Sequence, residues 1–213
     1  MNAGDVFNVS AGIIGNVVNP FTVTTLTDRA PLTGGVGNGR TGDLRYCITQ
    51  AMMPQNAGSV IVFQASLNGG TLALKDALPE LSQTVYITGN VSENPITIQG
   101  QGDATNPYRI FTVQQNVNAV INYLTITGGF DNSFQGGGGI ENEGKLALIG
   151  DVISDNTTTL FGGGISNNQG ATLLLTNDEV SYQNTAPKGG GIFNAGKIVA
   201  SSTSIFDNDA TNG

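Results

Sequence analysis

Short runs in which apolar and polar residues alternate, punctuated by Gly, Asn and Pro, extend over most of the chain. Alternate residues of a strand point to opposite faces, so each run predicts a short strand with one apolar side. Upstream, such runs fall at 59–63, 71–74, 84–88, 95–99, 108–113 and 119–127. Asn68-Gly69-Gly70, Gly89-Asn90, Gly100-Gln101-Gly102 and Gly128-Gly129 separate them and read as turns.

In the last third the pattern becomes a repeat. Gly137-Gly138-Gly139-Ile140-Glu141-Asn142 recurs as Gly162-Gly163-Gly164-Ile165-Ser166-Asn167 and as Gly189-Gly190-Gly191-Ile192-Phe193-Asn194. Ile140 and Ile165 are 25 residues apart, Ile165 and Ile192 27. Each block runs on through a glycine turn into Leu146/Leu148, Leu173/Leu175 or Ile198/Ala200, then into a third strand closed by Asn156, Asn184 or Asn208. Three strands in about 25 residues form one coil of an all-β, right-handed parallel β-helix, a three-sided β-solenoid. Stacking the coils sets Ile140 on Ile165 on Ile192 and Asn142 on Asn167 on Asn194. Residues 58–213 then supply about six coils and a rod about 30 Å long at about 4.8 Å per coil.

Residues 1–57 differ. Phe21-Thr22-Val23-Thr24-Thr25-Leu26 reads as a strand, and a helix is predicted from about 43 to 53. Leu44, Cys47, Ile48, Ala51 and Met52 make its apolar stripe. Thr41 or Asp43 supplies the N-cap, and Pro54 and Asn56 stop it. A helix over the open end of a solenoid covers both core and strand edges, so this one is assigned as the N-terminal cap of a single continuous domain. The far end shows no such cap, which predicts either further coils or end-to-end stacking on a second copy.

These residues resemble a known group. Phe21-Thr22-Val23-Thr24-Thr25, then Gly42-Asp43-Leu44-Arg45-Tyr46-Cys47-Ile48-Thr49-Gln50-Ala51, then Leu78-Pro79-Glu80-Leu81 before Val85-Tyr86-Ile87-Thr88-Gly89, look like the CSLREA-type head of bacterial choice-of-anchor surface proteins. The Gly-Gly-Gly-Ile-x-Asn blocks are similar to the repeats of chlamydial polymorphic outer-membrane proteins. Of the Cys-Ser-Leu-Arg-Glu-Ala signature, Leu44 and Arg45 match. The resemblance implies a secreted or surface-displayed, often adhesive, β-helix, and carries over no catalytic residue.

Composition narrows the chemistry. Charged residues are 11% of the chain, against about 25% in ordinary soluble domains. Uncharged polar side chains suit a stack in which like charges would repel one rung apart. A net charge of −8 with no basic stripe disfavours nucleic acid as a partner. There is no His, which removes the commonest general base and metal ligand. Cys47 is the sole cysteine and reads as a buried small hydrophobe. No apolar stretch is long enough to span a membrane. Asn2-Ala3-Gly4-Asp5 does not read as a signal peptide, and the start reads as the edge of a mature fragment.

Gly37-Asn38-Gly39-Arg40-Thr41-Gly42 spells GxGxxG but lacks a βαβ unit, and Gly34 to Gly39 lacks the repeated Asp of a calcium-binding nonapeptide. No cofactor, metal or catalytic residue is assigned. The acids that would serve a polysaccharide lyase or glycosidase are Asp151, Asp155, Asp178, Glu179 and Asp207, with Lys188 or Lys197 as base. Their recurrence in register favours repeat decoration. Asn142, Asn167 and Asn194 read as a side-chain ladder before they read as a glycan site. Asn90-Val91-Ser92 and Asn156-Thr157-Thr158 spell glycosylation sequons, which carry no meaning in a bacterial chain. The expected role is therefore a structural or adhesive rod whose partner is an extracellular glycan or a surface protein, with Tyr123, Phe130, Phe134 and Tyr182 as contact aromatics. The alternatives are a carbohydrate-active enzyme and a self-assembling rod.

Overall fold

A computed structural model describes residues 20–29, 34–90 and 94–212. The reading of residues 2–5, and Val91-Ser92 of one sequon, lie outside the described residues. The alternating runs stack in parallel as a β-solenoid of about six turns, about 27 residues per turn, with one α-helix among the described residues. The mean exceeds 25 because upstream coils carry longer loops: Val85 pairs with Ala119, 34 residues on.

The longest ladder joins Phe21–Val23, Ser59–Phe63, Val85–Thr88, Asn118–Asn122, Lys145–Ile149, Thr172–Thr176 and Lys197–Ser201. A second runs from Thr71–Ala73 to Ser204–Ile205, and a third joins Phe111–Val113, Ile140–Asn142, Ile165–Asn167 and Ile192–Asn194. A fourth, of two-residue strands, joins Phe130–Asp131, Thr157–Thr158, Thr185–Ala186 and Asp209–Ala210. Two residues have no period, so this ladder is invisible in the pattern.

The single strand expected over 119–127 is in fact two, Asn118–Asn122 and Leu124–Thr127. Tyr123 breaks it with φ of 56°, and Gly150 and Asn177 occupy the same corner in later coils at 68° and 57°. The corner is bonded rung to rung, Tyr123 N–H to Ile149 O and Gly150 N–H to Thr176 O. An aromatic at the break hides it from an apolar–polar reading.

Inward residues stack like on like. Ile61, Ile87, Ile121, Leu148 and Leu175 form one register column, all fully buried. Each such side chain contributes about 1.5–3 kcal/mol of burial. The triple glycines follow from the same closeness. A Cβ on Gly163 would stand 2.4 Å from the Gly190 carbonyl oxygen, and Gly162 lies at φ +64°. Only glycine meets both demands.

The predicted helix forms over Leu44–Ala51, with Asp43 as its N-cap. The Asp43 carboxylate accepts from Tyr46 N–H and from Val36 N–H, both at 2.8 Å. Leu44, Cys47, Ile48 and Ala51 are buried in the common core, and Met52, the C-cap, packs against it half-buried. Burial, and then the nearby Asp43 charge, push the Cys47 thiol up to about 12, so it is inert. The GxGxxG segment is a hairpin of Gly37–Asn38 and Thr41–Gly42 whose second strand extends the longest ladder. A Cβ on Gly37 would meet the Tyr46 ring at 2.2 Å, which accounts for that glycine by packing.

Arg45 ties the cap to the first coil. Its guanidinium grips Asp28 through two 2.8 Å bonds and donates to the carbonyls of Asp76 and Ala77. Burial alone would raise the Asp28 carboxyl, but Arg45 and the Lys75 N–H outweigh it and hold it below its usual value. Toward the opposite end of the described residues exposure rises: Val180 is fully buried, whereas Ile205, its partner one rung on, is 52% exposed. Among the described residues no helix is long and apolar enough to cross a membrane.

Truncating Arg45 leaves Asp28 charged and buried without its partner. Arg45→Ala is expected to lower stability by roughly 3–5 kcal/mol in urea unfolding. A loss below about 1 kcal/mol, the range of an exposed ion pair, would show that the lock does not hold the cap.

Candidate functional site

In each Ile-x-Asn block the outer residues face inward and the middle one outward. Inward, Asn142 donates through Nδ2 to Asn167 Oδ1 at 2.7 Å, and Asn167 to Asn194 Oδ1 at 2.6 Å. Their Nδ2 groups also reach the carbonyls of Thr172 and Lys197. Asn142 and Asn167 are fully buried, so they serve the stack and offer nothing to a ligand, and only Asn194 is exposed. Ile140 and Ile165 are likewise buried and Ile192 half-buried beneath the last rung. Asn156, Asn184 and Asn208 form a second ladder, with bonds of 3.1 and 2.8 Å. Asn156 is buried there, so its sequon is inaccessible.

Outward, the same ladder carries Thr112, Glu141, Ser166 and Phe193 in one column. Here the repeat stops repeating. A groove of about 440 Å³ lies over the column's first half. Thr112, Arg109 and Glu141 line it with Glu80, Gln114, Gln115 and Glu143, and the loop residues Ser133 and Gln135 complete the lining.

Arg109 organises the groove. It pairs with Asp131 at 2.6 Å and with Glu141, and donates to Ser133 Oγ. Its Nε is buried without a hydrogen-bond partner. Asp131 also accepts from the Ser133 hydroxyl at 2.9 Å, and Glu141 from Asn168 Nδ2 at 3.1 Å. Glu141 is buried although it points outward, because these groups cover it. Glu80 accepts from Gln114 Nε2. Neither Glu80 nor Glu143 has an ion-pair partner among the described residues.

Aromatic residues stand in the groove's loop and at the far end of the column. Phe134, between the lining residues Ser133 and Gln135, is 90% exposed. Further along the column Phe193 stacks on Phe161, centroids 4.7 Å apart, with the Lys188 ammonium 5.9 Å from the Phe161 ring. Of the contact aromatics expected from sequence, Phe134 and Tyr182 are exposed, and Tyr123 and Phe130 are half-buried. Tyr182 meets Phe206 edge-on at 5.4 Å, away from the groove lining.

The acids weighed as catalysts do not converge. Asp151 accepts from Leu124 and Ile149 N–H, and Asp178 from Asp151 and Thr176 N–H, at 2.6–3.0 Å. Both carboxylates fasten turn amides. Asp155 and Asp207 occupy exposed left-handed corners at φ 52° and 51°, and Glu179 accepts from the Ser181 hydroxyl. Among the described residues neither Lys188 nor Lys197 forms an ion pair with them, and no group of three or more His, Cys, Asp or Glu is placed to hold a metal ion. The groove brings Glu80, Arg109 and the neighbouring Glu141 and Glu143 together from separate coils, so no linear pattern joins them. The one signal, the varying middle residue of the Ile-x-Asn block, marks Glu141 alone.

Removing a rung amide tests the ladder. Asn167→Ala leaves buried groups unpaired and is expected to cost about 1–3 kcal/mol in urea unfolding, against no more than about 0.5 for an exposed surface change. A cost within the surface range would remove the ladder's structural role.

Burial pushes the Asp178 carboxyl up to about 6 and the Asp151 carboxyl well above its usual value, against their N–H donors, with Asp178 adding to the rise at Asp151. The fold therefore holds a proton that the unfolded chain releases between pH about 4 and 6. Stability conferred by that proton is complete below about pH 4 and is lost as pH rises through about 6. Asp28, held low, acts oppositely, and its contribution falls away only below its usual value of 3.8. The urea midpoint is thus expected to be higher at about pH 5 than at about pH 7.5, and the difference to shrink in Asp178→Asn. A midpoint that is flat or falls on acidification would contradict this assignment.

No protein-family model, no curated protein and no solved structure matches this chain.

Proposed function

We propose that this chain is a binding rod of an exported or cell-surface protein, and that its ligand is a glycan held in the groove over the outward column of the third ladder. The observation that carries the reading is a polar groove of about 440 Å³ on an outward column that ends, two rungs beyond Glu141, in the stacked Phe193, with the exposed Phe134 in the groove's loop. Glycans present hydroxyls to polar side chains and C–H faces to aromatic rings, and this face offers both. Strands of the solenoid, not a mobile loop, hold Thr112, Glu141, Ser166 and Phe193, so little ordering accompanies binding. The resemblance to surface β-helix repeats points to the same setting.

An adhesive role fits the groove better than catalysis does. Glu141 and Asp131 are committed to Arg109, which leaves that pair no free proton donor or acceptor. The chain should be retained on immobilised polysaccharides without cutting them. Incubation with neutral and acidic polysaccharides, with and without calcium, scores retention and new reducing or unsaturated ends separately. Phe193→Ala should reduce retention about tenfold. Cleavage products would overturn the adhesive reading and make Glu80 and Glu143 the acids to replace first.

A further inference from the structure

The groove's charge goes further, to the class of glycan. Three glutamates line it, Glu80, Glu141 and Glu143, against one base, Arg109. That base is already neutralised by Glu141 and by Asp131 behind it. A uronate or sulfate brought here would meet uncompensated carboxylates and, among the groove's lining residues, no available cation, the exposed Lys145 lying beyond Glu143 in the adjoining pocket. Glu143, half-buried and without an ion-pair partner among the described residues, is the strongest attractor for a positive group.

Direction follows from register. Thr112, Glu141, Ser166 and Phe193 succeed one another along the rod at about 4.8 Å per rung, close to the length of one pyranose unit in an extended chain. The acidic end of the column lies at Thr112 and Glu141, the aromatic end at Phe193 and Phe161.

We infer that the groove takes a linear, non-acidic glycan laid along the rod axis, with amino-bearing sugars preferred beside Glu143 and a ring stacked at Phe193. This rests on the glycan-binding reading above and adds the ligand's charge and direction to it.

Calorimetric titration with short oligomers of glucosamine, N-acetylglucosamine and galacturonate tests it, below neutral pH where the sugar amines are protonated. The glucosamine oligomer is expected to bind tightest, the N-acetylated one roughly two- to fivefold more weakly, and the galacturonate one not measurably. Glu143→Gln should remove the difference between the first two and leave the N-acetylated oligomer unchanged. Asp155→Asn, which deletes an equal charge from an exposed left-handed corner that Asn tolerates, should leave the difference intact. Phe193→Ala should weaken both about tenfold with the far-ultraviolet circular dichroism unaltered.

Galacturonate binding as tight as glucosamine would overturn the inference and leave the glycan reading standing. So would an amino preference that survives Glu143→Gln, or one that Asp155→Asn removes equally. If no oligomer binds, the glycan reading fails with it. Oligolysine binding that Glu143→Gln abolishes, in the absence of any glycan binding, would reassign the groove to a basic protein partner.

Discussion

Each interior coil of this protein is hydrogen-bonded to the one before it and the one after, at a spacing of about 4.8 Å. That constraint governs the rest. A residue placed at a given point of one coil must tolerate its counterpart directly above and below. Apolar side chains accept this easily, as the column from Ile61 to Leu175 shows. Asparagine accepts it because each amide both donates and accepts along the stack, as Asn142, Asn167 and Asn194 do. Glycine accepts it where backbones come too close for a Cβ, as at Gly163. Charges accept it poorly. Lys145 and Lys197 share a column but Thr172 stands between them. Where two carboxylates do occupy adjacent rungs, at Asp151 and Asp178, burial pushes both toward the protonated form, and the Asp178 charge adds to the push on Asp151.

The same constraint decides what can be read from the chain alone. A position that must repeat leaves a visible repeat, so the solenoid, its Ile and Asn ladders and the glycine blocks are legible in residues 137–194. The cap is legible for a different reason: Leu44, Cys47, Ile48 and Ala51 follow helical spacing in a chain otherwise built on a period of two. What escapes is local geometry without a periodic signature. The two-residue fourth ladder is too short to have one, and the corner at Tyr123 is masked because a tyrosine fits the alternation that it interrupts. Arg45 also stands out only in space. Its partners Asp28, Asp76 and Ala77 lie 17, 31 and 32 residues away in sequence, and no linear pattern joins them.

The two ends of the rod make unequal use of stacking. At the helix end the inserted segment from Gly37 to Ala51 adds a hairpin to the sheet edge and an apolar face to the core, so Phe21 and Val23 are as buried as residues in mid-rod. At the other end Ile192, Ile198 and Ile205 hold core positions with no rung above them among the described residues, and exposure rises accordingly. The gradient is one of neighbours and not of composition. Ile205 differs little from Ile153, two rungs earlier on the same ladder, except that Ile153 is covered on both sides.

Function in such a stack has to be sought where repetition fails. A side chain that recurs rung after rung is accounted for by the rung itself, which is why the recurring Asp151 and Asp178 turn out to fasten backbone amides. The outward column Thr112, Glu141, Ser166, Phe193 obeys the opposite logic. Its register is as strict as that of the Ile and Asn columns on either side, yet no two of its residues are alike. Stacking energetics does not ask for a glutamate beside a serine or a phenylalanine at the end. It does not ask for Arg109 either, whose burial between Asp131 and Glu141 costs desolvation that a polar uncharged pair would avoid. A column held rigid by the fold but free of its repeat is therefore the place where chemistry can vary without disturbing the rod. The groove lies on that column.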